Sequence, residues 1–223
     1  MIKLNEVCFK YRNSKDISLD NINIEIKKGE FILICGSSGS GKTSITRLIN
    51  KLIPYYYEGD LNGDVKINDK SLSDYQMFEL SKNVGSVFQN PRTQFFNVDT
   101  NSEIVFGLEN QGVETKILEE KLDETCKKLE INKLKNRNIF HLSGGEKQKI
   151  AFASVYATNP DIYLLDEPSS NLDIPTIDIL KKHLSMLKES GKTVIISEHR
   201  IYYIMDLVDR IIYMWWARPV MPG

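Results

Sequence analysis

A chain of 223 residues with 41% apolar and 26% charged side chains is long enough for one large α/β domain or two small ones. Its composition excludes a mini-protein, a low-complexity segment and a disulfide-stapled scaffold. With 29 Lys and Arg against 30 Asp and Glu, a net charge of −1, there is no global electrostatic case for nucleic acid as a partner.

The first residues, 1–6, lack a basic region followed by an apolar core, so no secretion signal is expected. Residues 2–9 and 17–26 alternate apolar and polar, with Leu19, Ile22, Ile24 and Ile26 in phase. That is the pattern of half-buried strands in an antiparallel sheet. Continuous apolar runs follow at 31–35, 162–165 and 193–196, and strands buried on both faces imply a parallel sheet clad by helices. Between about 100 and 135 the chain is charged and helix-favouring, with Ile117, Leu118, Leu122 and Leu129 at helical spacing, and reads as a helical insertion. Wholly apolar runs such as 150–153 and 211–217, the latter the longest, fall far short of the roughly 20 residues that span a bilayer. Any membrane role is therefore expected to come through a partner. Cys8, Cys35 and Cys126 are far apart and unpaired in spacing, which fits core filler in a reducing cytosol.

The apolar run 31–35 leads into Gly36-Ser37-Ser38-Gly39-Ser40-Gly41-Lys42-Thr43, and Ser44 onward reads as a helix. This satisfies G-x-x-x-x-G-K-[ST] between a strand and a helix, the context a phosphate loop requires. Glycines let successive backbone N–H groups turn toward phosphate oxygens, and the helix N-terminus adds partial positive charge. Lys42 is expected to reach the β- and γ-phosphates and the Thr43 hydroxyl to hold Mg²⁺. Asp166-Glu167-Pro168 follows the apolar run 162–165, placing two carboxylates at a strand's C-terminal end, where open α/β sheets bind ligands. Asp166 is positioned to complete the Mg²⁺ shell. Glu167, one residue on, is free to orient or deprotonate an attacking water.

Leu142-Ser143-Gly144-Gly145-Glu146-Lys147-Gln148 opens a further helix ahead of that acidic pair. With the two preceding motifs, in this order, it closely resembles the signature of the ATP-binding-cassette (ABC) ATPases, from residue 1 to about 214. The resemblance implies an α/β fold of phosphate-loop nucleoside triphosphatase type: a mostly parallel core sheet, an N-terminal antiparallel β part and a helical subdomain. The implied divisions are about 1–89 and 159–214 for the core, and about 90–158 for the helical subdomain with the signature. It further implies that Tyr11 stacks on adenine, that residues 36–44 cradle ATP, that Gln89 touches Mg²⁺ and the attacking water, and that His199 contacts the γ-phosphate. Ser143, Gly144, Gly145, Glu146 and Asp173 of the loop 169–173 would meet the ATP held by a second cassette, so hydrolysis requires a dimer, of two copies or of two similar chains.

The segments Gln89-Asn-Pro-Arg-Thr-Gln-Phe-Phe96 and Ser197-Glu-His-Arg-Ile-Tyr-Tyr203 most resemble the ATPases of energy-coupling-factor importers of vitamins and transition-metal ions such as cobalt and nickel. That resemblance implies a peripheral protein on the cytoplasmic face of the membrane. Phe95 and Phe96 are either core residues or docking residues for a transmembrane subunit. Two rival readings are disfavoured. A DNA-repair type would carry a long coiled coil between phosphate loop and signature, where only 99 residues separate Lys42 from Leu142, and a ribosome-acting type would carry two cassettes, where one is found. A non-hydrolysing regulatory subunit would show a degenerate site, whereas Lys42, Ser143, Asp166, Glu167 and His199 are all present. Nothing in the tail 215–223 resembles the family; it is either a natural end or a truncated or foreign one, with Trp215 and Trp216 as an expected sticky spot.

Overall fold

The computed structural model describes residues 2–216 and 218–220. The alternating N-terminal segments form β1 (Ile2–Tyr11) and β2 (Leu19–Ile26), paired antiparallel. The alternation of β1 slips once. Leu4 and Val7 both point inward across a register shift, at which Glu6 has φ 50°, so Asn5 and Glu6 are both left outside. The sheet order is β2-β1-β4-β5, with β4 (Gly59–Ile67) and the short β5 (Lys70–Ser71).

The second sheet carries β3 (Phe31–Gly36), β6 (Val84–Val87), β7 (Ile162–Asp166), β8 (Thr193–Ser197), β9 (Arg210–Trp215) and β10 (Arg218–Val220), in the order β10-β9-β3-β8-β7-β6. All its pairs are parallel except β9 with β10. Strands β7 and β8 are buried at every position. Their alternate side chains feed two cores. Ile32, Ile34, Leu164 and Ile195 pack with the antiparallel sheet and with α1 (Lys42–Ile49). Phe31, Leu33, Leu165 and Ile196 face the helical side. A fully buried aliphatic side chain contributes about 1.5–3 kcal/mol, so a one-residue slip of any central strand would cost both cores at once.

After α1 come a short helical turn, α2 (Leu52–Tyr55), and α3 (Met77–Asn83), which leads into β6. The helical side holds α4 (Thr100–Asn110), α5 (Thr115–Lys128), α6 (Gly144–Ala157) and α7 (Ile174–Glu189). Leu118 and Leu129 are buried there and Leu122 partly so, but Ile117 is exposed; α5 packs by a narrower stripe than the sequence spacing suggests. Phe95 turns inward onto this core, while Phe96 is 76% exposed and stacks on Phe106 at 5.0 Å. Phe95 is therefore a packing residue, and only Phe96 remains available for docking. Cys126 is buried as expected, and Cys8 and Cys35 are half-buried. Burial pushes the Cys35 and Cys126 thiols up, away from the reactive thiolate. In the tail, Arg218–Val220 pairs with Tyr213–Trp215 as a hairpin, and Trp215 and Trp216 are exposed as expected. The rest of that tail, residues 217 and 221–223, lies outside the described residues. No helix among the described residues is long and apolar enough to cross a membrane.

His183 of α7 lies under α6, stacked on Phe152 at 5.3 Å with Nε2 3.2 Å from the Leu129 carbonyl. Burial pushes this ring down to about 4, against the Leu129 carbonyl and reinforced by the Lys149 and Lys182 charges. Below about pH 6.5 the unfolded chain takes up a proton that the folded ring refuses until about pH 4, so stability falls as the pH is lowered through that window. The loss reaches roughly 3 kcal/mol. Urea unfolding at pH 7.5 and at pH 5 is expected to show this drop in the parent and a clearly smaller one in His183→Gln.

Candidate functional site

Four of the strands that run parallel, β3, β6, β7 and β8, end at the same edge of the sheet. The segments leaving those ends carry the predicted site. The loop after β3 depends on glycine at two places. Gly36 has φ 147° and a Cβ there would stand 2.3 Å from the Met214 carbonyl oxygen; Gly41 has φ 99° and a Cβ there would stand 2.5 Å from that of Ser18. Both are backbone oxygens, one in β9 and one in the residue just before β2, so no side-chain shift relieves the clash. Gly41 caps α1 without any side-chain oxygen, which leaves the first amides of the helix open to an external acceptor. The Ser40 hydroxyl is buried with no partner among the described residues. Lys42 is 5% exposed, and its ammonium donates to the carbonyls of Gly36 and Ser37, each at 3.0 Å. A buried cation with only neutral partners, beside open amides, fits a polyanion.

The β7 end divides its two carboxylates. Asp166, 8% exposed, accepts from Ser197 Oγ of β8 and, at 3.3 Å, from Thr43 Oγ1. Glu167 sits in the left-handed region, φ 45°, a conformation that costs a non-glycine residue about 1–3 kcal/mol and clusters at functional sites. Its amide donates to the Ser197 carbonyl at 3.0 Å. Its carboxylate accepts from Gln89 Nε2 at 2.8 Å and faces His199 Nε2 at 3.1 Å. Residues 78 and 32 positions away along the chain thus converge on one carboxylate.

Tyr11, Ser38, Gly39, Gly41, Lys42, Thr43, Ser44, Gln89, Glu167 and His199 line one open cleft of about 410 Å³. Asp166, bonded to Thr43, does not line the cleft; of the remaining loop residues Gly36 is half-buried, Ser37 exposed and Ser40 buried. Tyr11 meets the edge of Phe9 at 4.7 Å and its hydroxyl lies 3.1 Å from Ser44 Oγ. Arg47 donates to that hydroxyl at 3.2 Å and covers the Tyr57 ring at 4.1 Å. Sequence reasoning missed Arg47 and Tyr57, which have no motif. Ser197 entered the sequence reading only as the first residue of the segment 197–203, with no role assigned to its hydroxyl.

For a divalent cation the oxygen pair of Thr43 and Asp166 is the right chemistry. No group of three or more His, Cys, Asp or Glu among the described residues could hold one. Two hard oxygens with the remaining positions left to phosphate and water match the habit of Mg²⁺, so the residues fit.

Ser143, Gly144, Gly145 and Glu146 stand elsewhere. Ser143 caps α6 and accepts from the Glu146 amide at 3.3 Å, while Glu146 accepts from the Ser143 amide at 2.8 Å and from Arg137 at 2.7 Å. The Ser143 amide, helped by the Arg137 charge, holds the Glu146 carboxyl below its ordinary value. Asp173 caps α7 through the Thr176 amide at 3.1 Å, and the Thr176 hydroxyl, together with that amide, holds its carboxyl down as well. A Cβ on Gly145 would come within 3.3 Å of Thr176 Oγ1, so the two helix starts adjoin. Gly144 lines a separate cleft with Asn90, Ser170 and Asn171, joined to the first only by Gln89. Within one chain the signature and the phosphate loop do not share a pocket.

Residues 19–170 match the family model described as ABC transporter. The chain belongs to the ABC transporter family. It is 53% identical to an ABC transporter ATP-binding protein of Treponema denticola over 214 residues, which are 96% of this chain and 44% of that relative; the chain thus spans less than half of that relative's length. Among solved structures it is similar to the dimeric post-hydrolysis state of the ATP-binding cassette MJ0796 bound to ADP and Pi, with TM-score 0.86, 29% identity, and coverage of 99% of this chain and 97% of that one. It is similar also to cbiO1 of Clostridium perfringens, part of the ABC transporter complex cbiONQ, with TM-score 0.85, 27% identity, and coverage of 100% and 87%. The fold is that of an ABC cassette.

Gly36→Ala forces a methyl against the Met214 carbonyl and is expected to weaken ATP binding by at least roughly tenfold, with stability lowered by about 2 kcal/mol, as read by nucleotide titration and urea unfolding. Unchanged binding would mean that this backbone approach does not shape the cradle.

Proposed function

We propose that this chain is the ATP-hydrolysing unit of a membrane transporter, and more narrowly of an energy-coupling-factor-type importer of a vitamin or transition-metal ion. The observation that carries the first part is the convergence of Lys42, Thr43, Gln89, Glu167 and His199 on one cleft. The narrower part is supported by the motifs at 89–96 and 197–203 and by the likeness to cbiO1.

In this reading Lys42 exchanges its two carbonyl partners for β- and γ-phosphate oxygens, a charge-assisted pairing stronger than the one it leaves. Tyr11 supplies the stacking surface for the base, held upright by Ser44 and Arg47. Thr43 and Asp166 would hold Mg²⁺, which when bound would supply positive charge against that developing on the phosphates. Glu167 accepts the proton of the attacking water; Gln89, donating to the same carboxylate, fixes its orientation. His199, on the opposite oxygen of Glu167, is placed to donate toward the γ-phosphate.

Ser143, Gly144, Gly145, Glu146 and Asp173 serve the ATP held by a second cassette. Of these, Gly144 lines a cleft separate from that of the phosphate loop, which supports this reading, as does the dimeric state described for MJ0796. The length of the Treponema denticola relative leaves room for a second such unit. The segment 90–158 acts as the helical subdomain, and the exposed Phe96 on Phe106 is the contact for a transmembrane subunit, which holds the protein peripherally at the cytoplasmic face.

Two outcomes test this. Glu167→Gln keeps the shape but loses the base; ATP affinity is expected to stay within about twofold while turnover falls roughly 10²–10⁴-fold. Steady hydrolysis at the parent rate would remove Glu167 from its role. Phe96→Ala is expected to lower co-purification with the transmembrane subunit without changing the unfolding midpoint, and unaltered recovery would move the docking surface elsewhere.

A further inference from the structure

The carboxylate immediately before His199 has no part in the mechanism above, yet it is 2% exposed and carries a full set of donors. Glu198 leaves β8 with its amide bound to the Ile34 carbonyl at 3.2 Å, so its backbone is fixed to the central strand β3. One carboxylate oxygen accepts from the Ser169 amide at 3.0 Å and from Tyr203 Oη at 2.9 Å. The other accepts from the amides of His199 at 2.9 Å and Arg200 at 3.2 Å. Burial, with the Glu198 charge beside it, pushes the Tyr203 hydroxyl upward, so Tyr203 stays a donor. A second tie runs in the same direction: Arg200 donates from its guanidinium to the Leu172 carbonyl at 3.0 Å.

These bonds join two turns that the chain itself leaves independent, the one bearing His199 and the loop 169–172 that leads to Asp173. We infer that Glu198 is a positioning residue: it clamps the His199 turn to the loop 169–172, setting the imidazole against Glu167 and making the two turns move as one. The inference rests on the reading of Glu167 and His199 as the hydrolytic pair. A buried carboxylate is costly unless its lone pairs are filled, and here four donors fill them. The same fact makes the clamp stiff, because any rotation of the His199 turn strips acceptors from two amides at once.

Glu198→Gln keeps size and shape but replaces one acceptor oxygen by an NH₂ group, so two of the four donors face another donor. In ligand-free protein, hydrogen exchange at the amides of Ser169, His199 and Arg200 is expected to accelerate by at least about tenfold, with the amides of β8 unchanged. Unaltered exchange would overturn the clamp, whether or not the protein hydrolyses ATP. For the parent, absence of hydrolysis would sink the functional reading while leaving the exchange result to decide the clamp.

Where the parent hydrolyses, Glu198→Gln is expected to lower kcat about tenfold with ATP affinity within about twofold. In a His199→Ala background the same substitution is expected to leave single-turnover hydrolysis unchanged, since the group it positions is gone. Parent-rate turnover in Glu198→Gln, or equal losses in both backgrounds, would reduce Glu198 to a structural residue. Tyr203→Phe removes one donor and leaves the carboxylate in place. It is expected to speed exchange at the Ser169, His199 and Arg200 amides and to lower kcat severalfold, so the clamp is tested even if Glu198→Gln does not fold; no change in either would count against it.

Discussion

Asp166 and Glu167 leave the end of β7 in different directions, and the rest of the site depends on that parting. Asp166 stays anchored by Ser197 and reaches Thr43, while the left-handed turn at Glu167 swings the next carboxylate out between Gln89 and His199. Adjacent carboxylates on an ordinary strand would also point apart, but one would enter the core. The positive φ sends both to the same edge at a cost of about 1–3 kcal/mol. The cost is sustained because the flanking strands are immobile: β7 and β8 are buried at every residue and share two cores.

That burial is also why so much was legible in the sequence. Apolar runs at 31–35, 162–165 and 193–196 are strands with no solvent face, and each ends in residues that chemistry needs. The phosphate loop is legible for a related reason: Gly36 and Gly41 stand where neighbouring backbone leaves no room for a Cβ. What stayed hidden is equally physical. Strand β4 buries little beyond Val65 and Ile67 and shows no clear alternation, and β6 is four residues long. Arg47, Tyr57 and Glu198 act through neighbours that only the fold supplies, and the inward turn of Phe95 against the outward turn of Phe96 is a matter of one backbone step.

A single cassette on this chain does not disfavour a two-cassette protein, because the chain spans only 44% of its Treponema denticola relative. The absence of a long coiled coil between phosphate loop and signature stands: the longest helices there, α4 and α5, are 11 and 14 residues long. With the match to the ABC transporter family, it favours transport over DNA repair.

Each chain carries a cleft with the phosphate loop, Gln89, Glu167 and His199, and a separate cleft with Gly144 of the signature helix start; as half-sites, on the proposed function, both are incomplete. In the reading proposed above, a second cassette turned head to tail completes them. The direct test is the molar mass of the Glu167→Gln protein in solution by light scattering, with Mg-ATP and with Mg-ADP. A dimer with ATP and a monomer with ADP is the predicted result. A monomer under both, with ATP demonstrably bound, would contradict closure of two such half-sites on each other.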